Sequence, residues 1–272
     1  MLFRSGLPLP AQIVSHGWWL MDGAKMSKSK GNVARPHEYI ERFGLDALRY
    51  FVFREMVFGQ DASFGDEAIL TRYNADLAND LGNLASRVTT LLHRSCAGQV
   101  PVADAGLLAR DEERALLAGA DALVQSVQAA VRSFQLSQAL RDTWELVGAA
   151  NRYIVTREPW RLAKDPARDA ELRTSLHVAA DVLRVIAEVL RPFMPSTSER
   201  LLGMLGVTPD ARSWQHLRTD AIHHGQPDQR PPFHPVRHQR IADGLFVCGD
   251  HRDTPSIQGA LHSGRQIGRA HV

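Results

Sequence analysis

Apolar residues recur at steps of three and four over Leu70, Tyr73, Leu77, Leu81, Leu84, Val88 and Leu91. That interval stacks side chains on one face of an α-helix and predicts one long amphipathic helix. Ser63-x-x-Asp66 reads as its capping-box-like start, with Asp where Glu is more usual. The same period returns over Leu116, Ala120, Leu123, Val127, Val131 and Phe134, then over Leu140, Trp144, Val147 and Ile154 with Ser137 as a cap. It returns again over Leu172, Leu176, Ala179, Leu183, Ile186 and Leu190. The third helix should stop at Glu158-Pro159, because the residue before a proline is pushed out of the α region, and Pro192 and Pro195 break the fourth. Ser196-x-x-Glu199 forms a capping box for a fifth, Arg200 to Leu205, ended by Gly206. Amphipathic helices joined by short turns predict a mainly α chain built as an antiparallel bundle.

Ahead of the bundle the period changes. Trp18 to Met21 reads as an apolar strand, Asp22-Gly23 as a turn and Ala24-Lys25 as a short return strand, a hairpin. Pro36 sits at a helix start; Glu38 to Arg42 is helical and Gly44 ends it. Asp46 is placed to cap a second helix, Ala47 to Met56, whose apolar face is Leu45, Leu48, Phe51 and Val52, and Gly59-Gln60-Asp61 turns the chain. Leu7-Pro8-Leu9-Pro10 leads into a short apolar strand at Ile13-Val14 with no earlier unit to pair with, so the expectation is that a preceding unit belongs with it. The pattern divides the chain at 1–60, 61–214 and 215–272.

With 272 residues and 44% hydrophobic content the chain can bury a sizeable core. A net charge of +2 is weak evidence in either direction; a binder relying on nonspecific phosphate contact is usually more basic, so any nucleic-acid recognition is expected to be local. Cys96 and Cys248 lack metal-ligand spacing and suit a reducing, cytoplasmic setting, and no signal peptide or membrane-length apolar run is present. Eight of the twelve histidines follow Trp214, which marks the tail as a different kind of sequence.

Lys25-Met26-Ser27-Lys28-Ser29-Lys30-Gly31-Asn32 carries the clearest chemistry. Three lysines at spacings of three and two share neither a helix face nor a strand face and suit a loop. There they act as point charges on a polyphosphate, with serine hydroxyls and backbone N–H groups completing a cradle. Taken with His16-Gly17-Trp18-Trp19, Asp22-Gly23 and Gly31-Asn32-Val33, the run resembles the KMSKS signature of class I aminoacyl-tRNA synthetases. The resemblance implies that Lys25, Met26, Ser27, Lys28 and Ser29 hold ATP with its Mg2+. Lys25 and Lys28 would favour the charge that moves onto pyrophosphate as an aminoacyl-adenylate forms. It further implies that the segment before the bundle is the end of a Rossmann-type catalytic domain. No His-x-Gly-His motif, the other half of such a site, occurs here, so the expectation is half a catalytic site, inactive alone.

On a flank of the first bundle helix Asp76, Asp80, Asn83 and Arg87 form a polar stripe, and Asn83 with Arg87 is an i, i+4 pair. Such a stripe is either an ordinary solvated face or a binding edge; Trp160, just past a helix end, is either an open platform or a core residue folded back. Arg72 to Arg87 and Asn151-Arg152-Tyr153 with Glu158-Pro159-Trp160 resemble the anticodon-binding domain of methionyl-tRNA synthetases. Methionine and tRNA(Met) are therefore the implied partners, with no membrane. Asn83, Arg87 and Trp160 are implied to read the CAU anticodon, and Asp80 to position Arg87. The zinc-binding cysteines of many relatives and the methionine pocket are expected outside this chain. A free-standing tRNA-binding module without catalysis is the alternative. In the tail, Gly244 to Asp250 and Thr254 to Gly264 resemble the C-terminal FAD-contacting segment of flavin-dependent amine oxidoreductases. No Gly-x-Gly-x-x-Gly accompanies them, so FAD binding is not expected and the tail, 215–272, reads as foreign or disordered, with Gln266 to Val272, which resembles neither family, disordered or loosely packed.

Overall fold

The computed structural model describes residues 12–21 and 23–207; the tail expectations and Asp22 lie outside the described residues. The hairpin forms. β1 (Trp19–Met21) pairs antiparallel with β2 (Ala24–Lys25), in register Leu20↔Lys25 and Met21↔Ala24, and Gly23 takes the left-handed φ of 72° that its turn requires. After it come α1 (Pro36–Phe43), with Pro36 in its first turn, and α2 (Leu45–Glu55), joined at Gly44, whose φ of 85° suits glycine. Then β3 (Ala62–Ser63) returns parallel to β1, with Trp19↔Ala62 and Leu20↔Ser63, giving the order β2-β1-β3. A parallel strand pair bridged by helices is the connection expected of an α/β sheet. Because it recruits residues 62 and 63, the sheet crosses the expected boundary at residue 60. Ser63 is consequently a strand residue and not a cap; extended Gly65 precedes the next helix.

That helix is continuous but not uniform. α3 (Asp66–Arg72) passes into a π-helical stretch, Tyr73–Gly82, and then into α4 (Asn83–Cys96). The π stretch closes each turn with one more residue than an α-helix. The buried row accordingly runs Ile69, Leu77, Leu81, Leu84, Val88, Leu92, while Leu70 is left exposed and Leu91 half-buried, against the expected face. Two side chains from a neighbouring helix bond to this stretch: Trp144 Nε1 donates to the Asp76 carbonyl at 3.3 Å and Asn151 Nδ2 to the Asp80 carbonyl at 3.1 Å.

The connection carries the single turn α5 (Ala105–Leu108), capped by the Asp104 side chain. α6 (Asp111–Arg132) and α7 (Leu136–Arg157) form a helical hairpin, and α8 (Pro159–Leu162) follows at once. α6 stops short of Phe134, which has a left-handed φ of 59° and is exposed together with Val131, so neither joins the core as the periodicity suggests. Ser137 lies buried inside the first turn of α7 instead of capping it. α9 (Asp169–Leu190) runs through the middle, packed by α4, α6, α7, α8 and α10 (Pro195–Met204).

The cap of α10 differs from the expected one. The helix begins before Ser196, so Ser196-x-x-Glu199 cannot act as a box. Asp46, expected to cap α2, lies inside its first turn, and its Oδ2 accepts from Ser196 Oγ at 2.8 Å and from the Thr197 amide at 2.6 Å. A carboxylate from α2 thus caps a helix 150 residues away by accepting the Thr197 amide, one of the orphan N–H groups of its first turn. In α2 itself Leu45 is exposed and Leu48, Tyr50 and Phe51 are buried. One apolar cluster then runs without a break from Tyr39 to Leu205.

Candidate functional site

The lysine run caps the end of the hairpin. Lys28–Lys30 makes one 3₁₀ turn closed by Gly31, whose φ of 74° is the reason for glycine there; no atom lies within 4 Å of where its Cβ would stand. Asn32 ties the loop: its Oδ1 accepts the Ser27 amide at 2.9 Å and its Nδ2 donates to the Lys25 carbonyl at 3.3 Å. The Ser27 and Ser29 hydroxyls lie 2.9 Å apart, on the same side. Lys25 Nζ sits 3.5 Å above the centre of the exposed Trp18 ring, a cation–π contact that holds the ammonium at the hairpin. Trp18 is fixed in turn, since its amide donates to Asp61 Oδ1 at 2.6 Å and its carbonyl accepts the Ala62 amide at 2.9 Å. Lys28, Ser29 and Lys30 are exposed, whereas Met26 and Ser27 are half-buried. Lys28 and Lys30 pair with no acid among the described residues, so their charge is available to a ligand. Asn32 and Asp61 were legible only as loop and turn residues; their bonding depends on the strand pairing that short β3 completes.

The second set stands on the π–α4 helix and on α8. Asn83 opens α4 half-buried and Arg87, one turn on, is exposed. Neither side chain has a hydrogen-bond or ion-pair partner among the described residues. Asp80 does not reach Arg87. Its side chain is half-buried, burial and the neighbouring Asp76 hold its carboxyl above the usual range, and its contribution is the carbonyl that binds Asn151. Asp76, the first of the stripe, is buried: its Oδ2 accepts from Tyr50 Oη at 2.6 Å and faces Arg72, which also binds Glu55. The stripe is therefore split, with an inward half that locks the π stretch to α2 and an outward half, Asn83 and Arg87, left free.

Trp160 emerges as the open alternative. Glu158 adopts a left-handed φ of 46° before Pro159, which turns α8 away from α7, and Trp160 remains 44% exposed while its neighbours Pro159 and Leu162 are buried. Bonds from Trp144 to Asp76 and from Asn151 to Asp80 advance in the same direction along both chains, so α7 and the π–α4 helix run parallel. The C-terminal end of α7, and Trp160 just beyond it, therefore lies toward the end of the pair that carries Asn83 and Arg87. Sequence reasoning missed the group beneath: buried Glu113, at the start of α6, accepts from Tyr153 Oη at 3.1 Å and pairs with Arg157.

Two family models match. One described as "tRNA synthetases class I (M)" covers residues 1–89, and one described as "Anticodon binding domain of methionyl tRNA ligase" covers residues 102–243. The chain is 42% identical over 225 residues to the methionine–tRNA ligase of Caldanaerobacter subterraneus subsp. tengcongensis, covering 83% of this chain and 35% of that protein. It is 45% identical over 217 residues to that of Rhizobium meliloti, covering 79% and 41%. The solved Mycobacterium tuberculosis methionyl-tRNA synthetase in complex with methionyl-adenylate superposes with a TM-score of 0.74 at 40% identity, over 79% of this chain and 42% of that one. The chain thus spans well under half the length of these relatives.

Proposed function

Because the chain belongs to the methionyl-tRNA ligase family, we propose that it is the part of a methionine–tRNA ligase that holds the ATP phosphates and reads the tRNA(Met) anticodon. In this reading the exposed Lys28 and the ring-seated Lys25 embrace the triphosphate. The half-buried Met26 and Ser27, with Ser29, complete the cradle. As methionine attacks the α-phosphate, negative charge shifts onto the departing pyrophosphate, and the two ammonium groups lower that barrier without transferring a proton. In this reading Mg2+ arrives with the ATP; among the described residues no group of three or more His, Cys, Asp or Glu is arranged to hold a metal. No described helix is long and apolar enough to cross a membrane.

Anticodon reading is carried by one observation: Trp160 is 44% exposed at a backbone turn fixed by left-handed Glu158 and buried Pro159. An unpaired base stacks on such a plane, and Asn83 and Arg87, without partners among the described residues, supply edge hydrogen bonds. Trp160→Ala should weaken binding of a CAU stem-loop by about 1 to 3 kcal/mol. A fully buried Trp would cost roughly 3 to 5 kcal/mol in folding, so the half-open ring should cost less than about 2 in urea unfolding. Arg87→Ala should weaken binding with stability unchanged. Normal stem-loop affinity in both variants would refute the reading.

A further inference from the structure

The stacking residue hangs on a single turn of helix, and a platform of that kind is only as well placed as the residue that ends the preceding helix. That residue is Arg157, the last of α7, three positions before Trp160. Its guanidinium is drawn inward to buried Glu113, the third residue of α6, which is 1% exposed. The same Glu113 oxygen accepts Tyr153 Oη at 3.1 Å, one helical turn earlier on the same face of α7. Glu112 Oε2 adds a second contact to Arg157 Nε at 3.3 Å from the rim. One carboxylate therefore grips both of the last two turns of α7 immediately below the left-handed Glu158.

Burying a carboxylate against a guanidinium is a poor way to gain stability, since the desolvation of both ions consumes most of their attraction. The Glu113 site shows that cost directly: its Oε2 is buried with no hydrogen-bond partner among the described residues. An apolar residue would fill this space at less expense, but it would not fix the direction in which α7 ends. Two donors converging on one oxygen do fix it, because each constrains the rotation of α7 about its axis as well as its height. The α8 turn then inherits that direction, since the Arg161 and Leu162 amides both bond to the Glu158 carbonyl, at 2.7 and 3.2 Å.

We infer that Glu113 is a positioning residue for anticodon recognition, acting through Tyr153 and Arg157 to hold the Trp160 platform where a base can stack on it. The inference rests on the proposed reading of Trp160. It predicts that Glu113→Gln, which keeps the shape and removes the charge, lowers affinity for a CAU stem-loop about tenfold, the scale of one lost charge-assisted contact. The measurement is made on the whole chain at a temperature where circular dichroism shows the variant fully folded. A stem-loop with a scrambled anticodon should bind equally to wild type and variant, which a merely structural role would not guarantee alongside the CAU loss. Amide exchange at Arg161 and Leu162 should quicken in Glu113→Gln while the amides in the middle of α9 keep their protection. Tyr153→Phe, which removes one donor and leaves the ion pair, covers the case in which Glu113→Gln does not fold; it should show the same local exchange change and a smaller loss of CAU affinity. Unchanged CAU affinity in a folded Glu113→Gln, or unchanged Arg161 and Leu162 exchange in Tyr153→Phe, overturns the inference. Trp160→Ala run in parallel separates the two levels: if it also binds normally, the anticodon reading has failed, and if it alone loses affinity, only the role of Glu113 has.

Discussion

Asp46 is the test of how the loop-bearing segment is joined to the bundle. Its carboxylate reaches from the first turn of α2 to the first turn of α10 and accepts the Thr197 amide at 2.6 Å and Ser196 Oγ at 2.8 Å. Asp46→Ala leaves the Thr197 N–H buried and unsatisfied, which costs about 1 to 3 kcal/mol, and the Ser196 hydroxyl, being exposed, turns to water at little cost. Loss of a helix cap, about 1 kcal/mol, describes the same event and is not added in full. The expected destabilisation is therefore about 2 to 3 kcal/mol, or roughly 5 to 10 °C in Tm for a folded unit of this size. Asp46→Asn keeps an acceptor and loses only the charge, so it should cost about 1 kcal/mol. Urea and thermal unfolding followed by circular dichroism read both. Stability of Asp46→Ala within about 0.5 kcal/mol of wild type, the range of neutral surface changes, would refute the capping role; equal losses in both variants would refute the charge and acceptor argument.

Three further outcomes follow from individual contacts. In a full-length polypeptide containing this segment, Lys28→Ala should slow methionine-dependent ATP–pyrophosphate exchange about a hundredfold with methionine affinity nearly unchanged, since the contact strengthens in the transition state; an unaltered exchange rate would remove Lys28 from the site. Gly17→Ala should disrupt the hairpin, because a Cβ there would stand 2.0 Å from the Gln60 carbonyl oxygen, backbone that cannot step aside; wild-type ATP affinity and unfolding in this variant would contradict the geometry. Burial pushes the Tyr73 hydroxyl up to about 12 from the ordinary 10.0, so the folded state holds its proton longer than the unfolded one and stability should fall as pH rises from 10 towards 12. In Tyr73→Phe that decline should be shallower, and an identical slope in urea titrations across this window would dismiss the assignment.

The bundle was legible wherever one period persisted long enough to accumulate. Three of the amphipathic stretches became α6, α7 and α9, and the proline rule placed the end of α7 at Glu158 because a steric clash is local and does not depend on the fold. Caps were misread for the opposite reason. Asp46, Ser63, Ser137 and Ser196 all have the side chain of a cap, but whether each one caps its own helix depends on where the helix starts, and at α10 on a partner 150 residues away. β3 has two residues, too few to show alternation, and is visible only through β1. Asn83, Arg87 and Trp160 were named through a motif resemblance, while periodicity alone left the stripe and the Trp open. The exposure of Trp160 tells an open ring from a core residue only once the left-handed Glu158 is in place.

The π stretch also explains how the two sets of residues share one frame. Through Tyr73–Gly82 the helix is gripped from one side by α2, with Tyr50 on the Asp76 carboxylate and Glu55 on Arg72, and from the other by α7, with Trp144 and Asn151 on its carbonyls. α2 is fastened at the same time to the far end of the bundle by Asp46 and by Arg49, whose Nε and Nη2 donate to the Phe193 and Pro192 carbonyls at 2.9 and 2.6 Å. Its buried Phe51 stacks on Trp19 of the hairpin strand, 5.9 Å between ring centres. The hairpin that carries the lysines therefore rests on α2, and α2 is held at several points by the helices that carry Asn83, Arg87 and, through α7, Trp160. Packed contacts of this kind do not slide by fractions of an ångström; they hold or they repack. The lysine loop therefore has a base fixed relative to Trp160, and the 3₁₀ turn at Lys28–Lys30, exposed and bound to no acid among the described residues, is its least constrained part.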